Sequence, residues 1–98
     1  MTYELRHDGD GAWVFSGDLD LAAADHIRQA VAGASAVTSV DLGGVEFIDS
    51  SGLHGLVLIR QAHPACRYVH VPARVRRLFE LTGLAATVLG DESDPGTA

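Results

Sequence analysis

One cysteine, Cys66, stands alone in a chain of 98 residues, so no disulfide can close within it, and the thiol fits a reducing compartment. No apolar run approaches the roughly 20 residues needed to cross a bilayer. Met1-Thr2-Tyr3-Glu4-Leu5-Arg6-His7 has no basic segment followed by an apolar core, so no secretory signal is expected and a cytoplasmic location is. Positive charge is scarce: seven basic residues face 13 acidic ones, for a net charge of −6. Residues 1–49 carry nine acids and two arginines, a balance of −7, and residues 50–98 four acids and five arginines, a balance of +1. That distribution lacks the basic footprint on which nucleic-acid binding depends. It suits a partner with a basic face, or simply serves solubility. A Walker-type glycine loop and a Gly-x-Ser-x-Gly elbow are both missing.

What is present is one domain's worth of core. A hydrophobic fraction of 47% is that of an ordinary globular protein. Tyr3 and Leu5 alternate with Glu4 and Arg6, Asp8-Gly9-Asp10-Gly11 is a turn, and Ala12 to Ser16 reads as the second strand of a hairpin. Gly17-Asp18-Leu19-Asp20 ends it. Asp20 then caps a helix over Leu21 to Ala32, with Ala24, Ile27 and Val31 on one face and Gly33 as the stop. Val37 to Leu42 is a third strand, broken by Gly43-Gly44. A helix over about Gly52 to His63 follows, apolar nearly all round through Leu53, Leu56, Val57, Leu58 and Ile59, and Pro64 ends it. Gly52 and Gly55 inside it point to close backbone packing or to open access around Ser50, since each costs roughly 1 kcal/mol against alanine. Arg67 to Val71 is a fourth strand, and Pro72 opens a third helix that Gly83 and Leu84 close in the Schellman manner. Ala86 to Leu89 reads as a last short strand. Residues 1–90 thus make one α/β domain of order β-β-α-β-α-β-α-β, with a mixed, mostly parallel sheet and helices packed on it. Residues 91–98 read as a disordered acidic tail.

Chemistry concentrates in Val45-Glu46-Phe47-Ile48-Asp49-Ser50-Ser51-Gly52-Leu53. An acid, two hydroxyls and a glycine stand where a strand ends and a helix begins, beside orphan N–H groups and the positive end of the helix dipole. Asp and Ser are also ordinary N-cap residues, so the string alone is only a helix start. A phosphate on serine is tolerated at such a place. In parallel sheets the functional crevice lies beyond the carboxyl ends of the strands. The Gly17–Asp20 and Asp49–Gly52 turns both leave such an end, so the spacing predicts that they are neighbours.

Other chemistry is weakly supported. His63, Cys66 and His70 straddle a helix end and a strand without paired spacing, so no metal is expected. His54 lies about one turn beyond Ser50 and reads as a surface residue. Asp18 and Asp20 read as caps or solvated groups rather than an acid–base pair, and Trp13 with Phe15 as packing. Arg74, Arg76 and Arg77 read as a solvated helix face. No enzyme activity and no cofactor are expected.

Gly17-Asp18-Leu19-Asp20, Val40-Asp41-Leu42, Phe47-Ile48-Asp49-Ser50-Ser51-Gly52-Leu53 and Val75-Arg76-Arg77-Leu78-Phe79-Glu80-Leu81-Thr82-Gly83-Leu84 together resemble the STAS domain, more narrowly the stand-alone bacterial anti-sigma factor antagonists. The resemblance covers about residues 3–90. It implies a small cytoplasmic phosphoprotein that regulates transcription by partner switching, as in stress responses. Unphosphorylated, it would bind an ATP-binding anti-sigma factor that is also a serine kinase and so free the sigma factor. Phosphorylation would end that binding, and a PP2C-type phosphatase would reset it. The acceptor implied is Ser50; Asp18, Asp20, Asp49, Ser51, Gly52 and His54 are implied at the docking surface. Many relatives have Glu where Asp18 stands and a small residue where His54 stands, a difference that bears on which kinase fits. The resemblance equally allows a STAS scaffold or regulatory subunit docking on a membrane transporter or lipid-trafficking complex, without a kinase.

Overall fold

A computed structural model of the protein describes residues 2–34 and 36–88. The elements run β1 (Tyr3–Asp8), β2 (Ala12–Leu19), α1 (Leu21–Gly33), β3 (Ser39–Ile48), α2 (Ser50–Ala62), β4 (Arg67–Val69), α3 (Ala73–Leu81) and α4 (Ala85–Val88). The four strands form one sheet in the order β1-β2-β3-β4. β1 pairs antiparallel with β2, and β2–β3 and β3–β4 are parallel. Both parallel connections cross over through a helix, and handedness puts those helices on the same side. That side buries Trp13, Phe15, Val40, Leu42 and Tyr68 against Ile27, Leu56, Ile59, Val75 and Phe79 in one core. No helix among the described residues is long and apolar enough to cross a membrane.

The mixed α/β architecture agrees with the sequence reading, and several local features differ from it: β4 ends at Val69 rather than Val71, α2 starts at Ser50 rather than Gly52, and three others follow. β2 does not stop at Ser16: it runs on to Leu19 because pairing with β3 continues through Leu19↔Ile48. β3 is not broken at Gly43-Gly44. Instead its register against β2 slips between Val14↔Asp41 and Ser16↔Gly44, which is the bulge that glycine permits. A Cβ on Gly44 would lie 2.8 Å from the Ser16 Cβ, so the strands meet there too closely for a side chain. The expected strand over Ala86 to Leu89 is a correction. Residues 85–88 form a single helical turn, with the Val88 N–H on the Leu84 carbonyl at 2.9 Å. A run of four residues has no period that separates helix from strand, and burying Val88 decides it. The tail expected over 91–98 lies outside the described residues.

Two devices close the lower part of the domain. Gly83, at φ 77°, ends α3 as anticipated: its N–H reaches the Glu80 carbonyl at 3.2 Å and the Leu84 N–H reaches Phe79 at 2.8 Å, the Schellman pair. Arg60 gathers the carbonyls of Val88 at 2.8 Å, Pro64 at 2.7 Å and Cys66 at 2.6 Å, and its guanidinium lies 5.0 Å above the Tyr68 ring. The Tyr68 hydroxyl donates to the Leu56 carbonyl. Burial pushes that hydroxyl well above its ordinary pKa, and burial likewise raises the Cys66 thiol against the opposing charge of Arg60. Cys66 is therefore a packing residue, protonated and shielded.

The two odd glycines of α2 are explained by packing. A Cβ on Gly55 would lie 2.9 Å from the Ile27 Cδ1 of α1, and one on Gly52 only 2.1 Å from the Leu19 carbonyl oxygen. Gly33, at the end of α1, has open space around it. We expect Gly52→Ala to lose about 2 kcal/mol or more despite alanine's better helix propensity, because backbone must move. Gly33→Ala should be neutral or mildly stabilising. Thermal unfolding of both variants checks the contrast, and equal melting temperatures would contradict it.

Candidate functional site

The three longer helices all start at the carboxyl edge of the sheet, so their N-termini share one end of the domain. There the pairing Leu19↔Ile48 is the last rung between β2 and β3. The Asp49 N–H then donates to the Leu19 carbonyl at 3.2 Å. The two acidic turns are thereby neighbours, as the spacing predicted.

Each turn is built around a capping aspartate. Asp20 is extended at φ −113° and its Oδ1 accepts from the Ala23 N–H at 3.3 Å; Asp49 is extended at φ −115° and its Oδ1 accepts from the Gly52 N–H at 3.0 Å. Neither helix has an acid within its own first turn, so these caps supply the negative charge that the dipoles favour. Both carboxylates are half-buried and already employed. Asp18, also half-buried, carries no capping bond; its N–H donates to the Thr2 carbonyl at 2.9 Å.

Ser50 is the first residue of α2 and is exposed. Because Asp49 takes the Gly52 N–H, the Ser50 hydroxyl is not needed as a cap. The first helical bond of α2 runs from the Leu53 N–H to the Asp49 carbonyl at 2.9 Å, so the Ser50 and Ser51 N–H groups lie ahead of it and face outward from the helix end. An anion on Ser50 meets open N–H groups and the positive end of the dipole, next in sequence to the capping Asp49 carboxylate. Ser51 is half-buried and Gly52 buried under Leu19. His54, one turn along α2 from Ser50, is exposed.

Two residues that the sequence reading passed over also stand at this end. Leu21, the first residue of α1, is 62% exposed, and Phe47 is 43% exposed. Leu21 precedes Ala24 by three residues, at the margin of the Ala24–Ile27–Val31 stripe, so spacing does not mark it as outward. Phe47 looked like part of the apolar run entering the turn, and nothing in its period marked it as outward. Arg74, in the first turn of α3, donates to the Glu46 carbonyl, so one of the three arginines read as a solvated face instead ties α3 to β3. His63, Cys66 and His70 do not converge: Cys66 is in the core, and His70, at φ 54°, has its Nδ1 3.1 Å from the Asp41 Oδ2. Among the described residues, no group of three or more His, Cys, Asp or Glu side chains gathers as a metal cage.

The family model described as "Mlab, STAS domain" matches residues 6–90. The chain belongs to the STAS-domain family. Solved structures with this fold include an anti-sigma factor antagonist from Mycobacterium paratuberculosis, with TM-score 0.70 and 28% identity, covering 96% of this chain and 86% of that one. The phosphorylated Bacillus cell fate determinant SpoIIAA has TM-score 0.63 and 23% identity, covering 90% and 88%. A sulfate transporter family protein from Wolinella succinogenes has TM-score 0.70 and 17% identity, covering 85% and 73%. At such identities the last two speak for the fold alone. A curated relative, bifunctional protein HldE of Pseudomonas fluorescens (strain SBW25), is 40% identical over 57 residues, 58% of this STAS domain. The domain spans only 11% of that relative's length.

The capping role of Asp49 is testable by itself. Asp49→Ala should cost about 1 kcal/mol by orphaning the Gly52 N–H, while Asp49→Ser, which still caps, should stay near wild type. For a domain of this size that loss lowers the melting temperature by roughly 4–8 °C. Calorimetric melts of both variants make the comparison, and indistinguishable losses would remove the cap from the account.

Proposed function

We propose that this STAS domain is an anti-sigma factor antagonist that works by phosphorylation-controlled partner switching. Unphosphorylated, it binds an ATP-binding anti-sigma factor that is also a serine kinase, which releases the sigma factor. Transfer of a phosphate to Ser50 ends that binding, and a PP2C-type phosphatase restores it. The observation that carries this reading is the division of labour at the start of α2: Asp49 does the capping, and the Ser50 hydroxyl is left exposed and uncommitted. The M. paratuberculosis antagonist, 28% identical over nearly the whole chain, supports the same assignment.

The physics of the switch follows from position. A phosphate brings about −1.5 to −2 charge at neutral pH. At the first residue of α2 it faces the open Ser50 and Ser51 N–H groups and the dipole, so the fold tolerates it. At the surface it joins Asp18, Asp20 and Asp49 and must be stripped of water before anything docks. In this reading those three carboxylates, with Ser51, Gly52 and His54, form the docking surface. His54 replaces a small side chain with a bulky, titratable one beside the acceptor, and so narrows the range of kinases that fit.

A second reading keeps the fold and drops the kinase: a STAS subunit docking on a membrane transporter or lipid-trafficking complex. Its support is the fold shared with the sulfate transporter family protein from Wolinella succinogenes.

Incubation of the domain with each purified anti-sigma factor kinase of the source genome and Mg-ATP, read by mass spectrometry, tests the proposal. We expect one phosphate on Ser50, lost in Ser50→Ala and kept in Ser51→Ala. Modification that persists in Ser50→Ala, or none with any such kinase, would contradict it.

A further inference from the structure

Three large apolar side chains are exposed among the described residues: Leu21, Phe47 and Leu81. Two of them, Leu21 and Phe47, flank the acidic turns. Leu21 follows the Asp20 cap, just as Ser50 follows the Asp49 cap, and the two caps follow the last β2–β3 rung. Phe47 pairs with Asp18 across the strands. Since Leu19 is buried toward the helices, Asp18 and its parallel partner Phe47 turn to the helix-free face. The apolar pair thus lies at the same carboxyl edge of the sheet as Ser50, Leu21 after the Asp20 cap and Phe47 two residues before the Asp49 cap.

Neither position requires what it carries. Leu21 is exposed at the margin of the buried stripe of α1, where a polar residue would serve equally, and neither Leu21 nor Phe47 belongs to the core cluster. Around them stand Asp18, Asp20, Glu46 and Asp49, with Arg74 at the Glu46 carbonyl offsetting part of that charge. An apolar pair within a carboxylate rim has the anatomy of an interface centre rather than of a solvated surface.

We infer that Leu21 and Phe47 are the apolar anchors by which this domain seats its kinase partner, on a docking face that offers two apolar pockets edged by arginine or lysine. The inference rests on the partner-switch reading above. Phosphoryl transfer to Ser50 requires the kinase to bring its nucleotide to about 3–3.5 Å from the hydroxyl. A partner face of ordinary size, about 800 Å², covers both anchors when centred there. Charge complementarity chooses the partner's chemistry: the rim is acidic, so the matching face is basic, and attraction weakens as salt rises. Specificity then divides, with the anchors holding the complex and the Ser50 charge releasing it.

The test is a calorimetric titration of the source genome's purified anti-sigma factor kinases with wild type, Ser50→Asp, Leu21→Ser, Leu21→Gln, Phe47→Thr and Leu81→Ser, each checked by melting. Leu81 lies at the far end of α3, away from the acceptor edge, and serves as the control. We expect each anchor substitution to weaken binding at least about tenfold, as loss of a central anchor does, with Leu81→Ser unchanged and wild-type affinity falling with salt. If Ser50→Asp weakens binding while the Leu21 and Phe47 variants bind as wild type, the anchors are wrong and the switch stands. Equal weakening by Leu81→Ser also overturns the assignment. If no kinase binds the wild type, the partner-switch reading fails and the anchors fall with it.

Discussion

The carbonyl oxygen of Leu19 accepts the Asp49 N–H at 3.2 Å and occupies the space where a side chain on residue 52 would begin, 2.1 Å from an added Cβ. Through these contacts the end of β2 is pressed against the first turn of α2. Only glycine admits that approach. Its consequence is that two strand ends, two capping aspartates and two helix starts are held as one rigid edge. Ser50 therefore projects from a platform made by β2 as much as by its own helix.

The rest of the architecture serves that edge from a distance. The parallel order of β2, β3 and β4 aligns the carboxyl ends, and the crossovers bring each following helix back to start there. At the opposite end Arg60 binds the carbonyls of Pro64, Cys66 and Val88, closing the exit of α2 onto β4 and α4. The edge is thus set by packing away from Ser50, and under the proposed switch a charge added at Ser50 changes the surface rather than the frame.

Much of this was legible from residue order, because the governing signals are local. Asp20 announced its cap, Pro72 and Gly83 bounded α3, and Gly52 and Gly55 signalled close packing before any partner for them was visible, whereas the start of α2 at Ser50 under an Asp49 cap lies two residues before the Gly52 start read from the sequence. What escaped depends on pairing between distant segments. The continuation of β2 to Leu19 and of β3 through Gly43-Gly44 is imposed by neighbouring strands, and four residues at 85–88 take helical form because Val88 finds the core. The candidate site was half visible: the acidic turns and Ser50 are legible in the sequence, but the exposure of Phe47 is not, since a strand's register decides which way it faces.

The account separates the fold from the switch, and homogeneous protein carrying phosphoserine at position 50 tests that separation most directly. Its melting temperature and its affinity for the kinase, measured against the unmodified domain in the same buffer, form one experiment. The account predicts a melting temperature within about 2 °C, well under the shift of a 1 kcal/mol change, together with a loss of affinity of at least about tenfold. A large fall in melting temperature, or full affinity retained by the phosphorylated domain, would contradict it.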